Sequence, residues 1–149
     1  MTLFTFKFGL VFFWAMWQLM VFMTNLFEGL KLLRIVPPYW KFASQNYQAV
    51  AHATGAYRAP PWIPQLLFLG ILVWQLGTLI LFGRAVISTW SNRTLLLSPV
   101  TEAFASSLSL LAAFMIADEI FKQYDEERAH ILFFTAQLIT LLAFYILPT

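Results

Sequence analysis

Cysteine is absent from all 149 residues, and charge is scarce, with Asp, Glu, Lys and Arg making up only 11% of the chain. Without cysteine there is no disulfide framework, no thiolate metal site and no thiol nucleophile. With so little charge there is no water-facing surface, since a soluble domain carries about a quarter charged residues. The six glycines form no phosphate-cradling loop, and no Gly-x-Ser-x-Gly or His-Glu-x-x-His pattern is present. The same composition excludes intrinsic disorder and nucleic-acid binding. What is abundant is apolar: 60% of residues are hydrophobic and 18% aromatic, including 16 Phe and 6 Trp, with a mean hydropathy of +0.74. These figures describe an integral membrane protein.

A bilayer core of about 30 Å needs about 20 mostly apolar helical residues. Four such runs lie between the charged clusters: Phe8 to Leu33, Ile63 to Gly83, Val100 to Lys122, and His130 to Leu147. Pro60, Pro61 and Pro64 precede the second span and Gly83-Arg84 closes it, in keeping with proline at helix starts and glycine near helix ends. Only Gln123 to Ala129 separate the third and fourth spans, which predicts a tight antiparallel hairpin. The basic, apolar N-terminus resembles a signal sequence, but no Ala-x-Ala site follows, so it is read as a retained first span. No internal repeat, heptad run or low-complexity segment is apparent. The expected fold is all-α, a polytopic four-transmembrane-helix bundle forming one domain over residues 1–149.

The loop from Arg34 to Trp62 carries a pattern of its own. Trp40, Ala43, Tyr47, Val50 and Ala51 recur at helical spacing while Ser44, Gln45, Gln48 and His52 fall largely elsewhere, predicting a short interfacial helix or, equally, a packed loop. Four spans put both termini on one side with Lys7, Arg84 and Arg93, against Lys31, Arg34, Lys41, Arg58, Lys122 and Arg128 on the other. The positive-inside rule therefore places the long loop in the cytoplasm, for a bacterial inner membrane or an organellar inner membrane.

Polar side chains at membrane depth mark helix-helix contacts or sites. Gln18, Asn25 and Glu28 share one face of the first span with Trp14 and Val21, and this face is expected to point inward. Glu28 falls at the membrane boundary, where pairing with Lys31 one turn on is the favoured structural explanation. Gln75 and Thr78 sit near mid-span, flanked by Gly70 and Gly77. Glu102, Ser106, Ser109, Ala113 and Ala117 form a small and polar stripe in the third span. Such stripes serve helix packing or line a cavity, and the cavity set is Gln18, Asn25, Glu28, Gln75, Ser106 and Ser109.

At the turn between spans three and four, Glu127 and His130 make a Glu-x-x-His pair, the unit that di-metal bundles use twice. A metal set would draw on Glu28, Glu119, Glu127, His130 and His52. A solvated, charged hairpin tip is the favoured explanation, and metal is not favoured.

Asn25-Leu26 near the end of span one, Glu119 before Phe121, and Phe133-Phe134 in a leucine-rich last span resemble a family of small four-span bacterial integral membrane proteins of unknown function. The acidic turn between spans three and four departs from that family, whose turn is Trp- and Gly-rich. The resemblance implies fold and location only.

The leading expectation is a non-catalytic accessory, assembly or stabilising subunit, docked on other membrane subunits or on a second copy of itself. One alternative is a small-molecule, lipid or ion-binding or transport protein with a polar intramembrane cavity. The other is a metal-dependent membrane enzyme or haem-binding anchor. No cofactor is specified, and membrane lipids are the expected surroundings.

Overall fold

With no water at membrane depth, each backbone N–H and C=O must be satisfied within its own segment, so apolar runs of this length fold as helices. The computed structural model describes residues 2–147, and among them are five α-helices and no strand. They are α1 (Leu3–Leu32), α2 (Asn46–Gly55), α3 (Trp62–Asn92), α4 (Leu97–Phe121) and α5 (Tyr124–Ile146). Helices α1, α3, α4 and α5 are long and apolar enough to cross a membrane. The chain is an all-α, four-span integral membrane protein.

Helix ends differ from the sequence expectation in a consistent way. Helix α3 runs through Gly83-Arg84 to Asn92, because an interior glycine costs only about 1 kcal/mol in a helix stabilised along its whole length by apolar burial in lipid. Helix α4 begins at Leu97, with Pro99 in its first turn, where the missing N–H has no intrahelical acceptor to lose. Helix α5 begins at Tyr124, so the hairpin turn shrinks to Lys122 and Gln123, and Asp125, Glu126 and Glu127 occupy the first turn of α5. Three carboxylates beside the positive end of a helix dipole are favourably placed. In the long loop, α2 is shorter than the predicted amphipathic segment: Trp40 and Ala43 precede it, whereas Tyr47, Val50 and Ala51 lie half-buried beside buried Ala53 and Thr54.

Four basic residues carry positive φ: Arg34 (59°), Arg58 (54°), Arg93 (52°) and Lys122 (57°). Each follows the end of one of the first four helices, the place glycine usually takes. Schellman-type bonds close three of these ends, with Ile35 N donating to Leu30 O (2.9 Å), Ala59 N to Thr54 O (3.2 Å) and Gln123 N to Asp118 O (2.8 Å).

The chain divides into two compact units. One comprises the residues through Trp17 and those from Gly77 onward; the other runs from Gln18 to Leu76. The core of the first is Val11, Trp14, Phe82, Ala85, Val100, Ala103, Phe104 and Phe144. Phe104 is its centre, meeting Phe82 at 5.2 Å, Phe144 at 5.8 Å and Trp14 at 6.4 Å between ring centroids, all near edge-to-face. Lys7 is buried in this unit, and its Nζ donates to the Leu147 carbonyl at 2.9 Å. That cation stands at the C-terminal end of α5, whose last turn has no basic residue of its own. In the second unit, Tyr47 of α2 packs edge-on to Phe68 of α3 (5.6 Å), and Phe27 holds Trp40 and Phe42 (5.7 Å each).

Candidate functional site

The second unit contains a polar network reaching from the end of α1 toward its middle. Asn25 and Glu28 sit one turn apart on α1, so both side chains leave the helix on one face. Asn25 is fully buried and Glu28 is 1% exposed. The Asn25 amide donates from Nδ2 to Gln75 Oε1 (2.9 Å), and its Oδ1 accepts from Ser44 Oγ (2.6 Å) and Asn46 Nδ2 (2.7 Å). Gln18 Nε2 donates to the Gln75 carbonyl at 3.1 Å. Buried amides arranged in this way satisfy one another, which is what the low-dielectric interior demands.

The Glu28 carboxylate is held by the loop rather than by a cation. Ser44 Oγ bonds Oε2, and the acceptors around the Gln48 amide require its nitrogen to face Oε1, an orientation in which it also donates to the Gln45 carbonyl (3.1 Å). The expected pairing with Lys31 is not formed; among the described residues Arg84 pairs with Glu102, and His130 is hydrogen-bonded to Asp118. Ser44 is itself fixed by its backbone N–H, which donates to the Thr24 carbonyl (3.0 Å). A hydroxyl has one proton to donate. Ser44 Oγ therefore serves Asn25 Oδ1 and Glu28 Oε2 with a single hydrogen, and the carboxylate is held by neutral donors alone, one at each oxygen.

Glu28 also borders a cleft of about 680 Å³, lined further by Lys31, Leu32, Tyr39, Trp40, Lys41, Ser44 and Gln48 among others. All of these belong to the second unit. Its large apolar lining residues are uncovered, with Leu32 45%, Tyr39 81% and Trp40 42% exposed. Buried polar groups, two lysines and an apolar lining thus meet at one end of a spanning helix.

Of the predicted cavity set, Gln18, Asn25, Glu28 and Gln75 are brought together by hydrogen bonds. Ser106 belongs to the other unit and bonds Thr78 (2.8 Å), and Ser109 is exposed on α4. The buried face of α4 is Val100, Ala103, Phe104, Ser107 and Leu110, so much of the predicted small-residue stripe lies off that face. Sequence reasoning placed Ser44 and Gln48 on the polar side of the loop pattern without a role. A signal was present: a polar face beside an apolar one, next to a boundary carboxylate, needs a partner.

The proposed metal set is dispersed between the units: Glu28 and His52 in the second, Glu119, Glu127 and His130 in the first. His52 and Glu119 are exposed and Glu127 half-buried. Glu127 and His130 do lie on α5 one turn apart, but His130 turns its Nδ1 to Asp118 Oδ2 (2.5 Å) and stacks on Phe114 (4.9 Å). Among the described residues, no group of three His, Asp or Glu side chains is arranged to hold a metal ion. No family model matches the chain, and no curated protein or solved structure is significantly similar to it.

Proposed function

We propose that the protein is a membrane lipid-binding protein whose site is the Glu28 cleft, the polar end of the amphiphile entering the cleft and its apolar part lying along Leu32, Tyr39 and Trp40. The single observation that carries this reading is a buried carboxylate bordering a cleft of about 680 Å³ with an exposed apolar lining. Concave sites with a few convergent polar groups are where small ligands bind, and polar groups at membrane depth mark function. The test is purification of the full chain from native membranes in mild detergent, followed by identification of retained lipid. Stoichiometric lipid is expected, and Ala43→Trp, which fills the cleft from its wall, releases it; a lipid-free wild-type protein overturns the reading.

A second reading, association with another copy of the chain, has separate support. On α4, Ala105, Ser109 and Ala113 are exposed at intervals of four residues, the small-xxx-small spacing that lets membrane helices approach closely. On α3, a Cβ added at Gly70 or at Gly77 would meet nothing within 4 Å. Oxidative cross-linking of Ser109→Cys in native membranes should yield a disulfide dimer, with Leu138→Cys on α5 as the lipid-facing control. Monomer alone at both positions overturns the association.

A further inference from the structure

We infer that the Glu28 cleft recognises an aminophospholipid head group, with the phosphate taken by Lys31 and Lys41 and the primary ammonium taken by the Glu28 carboxylate. This deepens the lipid-binding reading and rests on it. Both lysines line the cleft, and neither has a carboxylate partner among the described residues. An anionic group is therefore the complement to that part of the wall. Glu28 presents the opposite requirement at the same cleft. It is 1% exposed, its partners are the neutral Ser44 and Gln48, and Ser44 shares one proton between two acceptors. A charged group desolvated beside neutral partners gains most from an arriving cation with N–H donors.

The two requirements together describe a zwitterion, and they also distinguish a primary amine from a quaternary one. A quaternary ammonium has no N–H and is recognised by aromatic cages. The aromatic side chains lining this cleft are Tyr39 and Trp40, and the Trp40 ring packs on Phe27 (5.7 Å), so the wall offers two rings beside a carboxylate rather than an aromatic enclosure. The uncovered lining at Leu32, Tyr39 and Trp40 supplies the apolar surface that a soluble zwitterion does not need.

The experiment is native mass spectrometry of the full chain in mild detergent with phosphatidylethanolamine, phosphatidylcholine and phosphatidylglycerol of identical acyl chains, and separately with soluble phosphoethanolamine. Phosphatidylethanolamine should be retained about tenfold over phosphatidylcholine, because methylation removes every N–H that Glu28 could accept. It should likewise be retained over phosphatidylglycerol, which has no amine. Lys31→Met with Lys41→Met should lower retention of all three lipids, while Glu28→Gln should erase the ethanolamine preference alone. The wild-type comparison of ethanolamine with choline lipid needs no variant, so misfolding of Glu28→Gln does not remove the test. Equal retention of these two lipids, or preference for phosphatidylglycerol, overturns the inference. Retention of no lipid overturns the lipid-binding reading itself. Tight binding of phosphoethanolamine without any phospholipid supports the head-group chemistry and overturns the lipid as its source.

Discussion

Asn25 joins three segments of the second unit through one amide, bonding Gln75 of α3, Ser44 of the loop and Asn46 of α2. Hydrogen bonds between membrane helices average only about 0.6 kcal/mol each, so Asn25→Leu should cost about 2 kcal/mol for three of them. Orphaning the Gln75 and Ser44 partners adds to that loss rather than reducing it. Helix content followed through titration with a denaturing detergent measures it, with exposed Thr135→Leu on α5 as a control expected to stay within about 0.5 kcal/mol. A loss for Asn25→Leu no larger than the control's would mean that the amide is not the hub of the unit. This residue was legible in the sequence, because an amide seven positions from Gln18 and three from Glu28 shares their helix face. The partner of Glu28 was not. Spacing along α1 favours Lys31, whereas Ser44 and Gln48 reach the carboxylate through a loop conformation that no periodicity encodes.

Among elements, what was legible and what was not divides along one physical line. Spans were readable because apolar length is a composition property. Their ends were not, because proline and glycine were read as boundaries in helices that lipid stabilises over their whole length, as Gly83 within α3 and Pro99 within α4 demonstrate. A heptad pattern was also missed. Buried positions on α1 are Lys7, Val11, Trp14, Gln18, Asn25 and Glu28, and on α3 Pro64, Phe68, Gln75, Thr78, Phe82, Ala85 and Thr89, alternating by threes and fours or by their sum. That is knobs-into-holes spacing. Four of the six α1 positions are polar while the lipid-facing sides are apolar, so a search for apolar heptads passes over it. The caps reverse the usual residue choice as well. A non-glycine residue in the left-handed region is strained, so Arg58→Gly, outside the spans, should raise stability by about 0.5–1 kcal/mol after the greater unfolded-state entropy of glycine is included. A higher melting midpoint in detergent is the expected result; a fall would show that the arginine side chain is what the position requires.

For the whole molecule, four spanning helices fix connectivity across a membrane, and the distribution of basic residues predicts which face is which. The rule counts Lys and Arg near span ends and gives little weight to acids, so six on the long-loop side against three on the other predict a cytoplasmic long loop. Structure modifies the contributors without changing the tally: Lys7 is buried on the Leu147 carbonyl and Arg84 pairs with Glu102 at 3.1 Å, so both have partners within the protein on the side with fewer cations. The absence of cysteine makes orientation directly measurable, since any thiol label reports only an introduced residue. Tyr39→Cys lies in the long loop and Thr94→Cys in the short connection between α3 and α4, both at exposed, non-helical positions. Connectivity requires the two to be labelled from opposite faces by an impermeant maleimide. Tyr39→Cys should react only in inverted vesicles and Thr94→Cys only in right-side-out ones. Labelling of both from one face would contradict four spans, whereas the opposite pair would keep the spans and reverse the orientation, moving the Glu28 cleft to the other leaflet and with it the pool of lipid available to fill it.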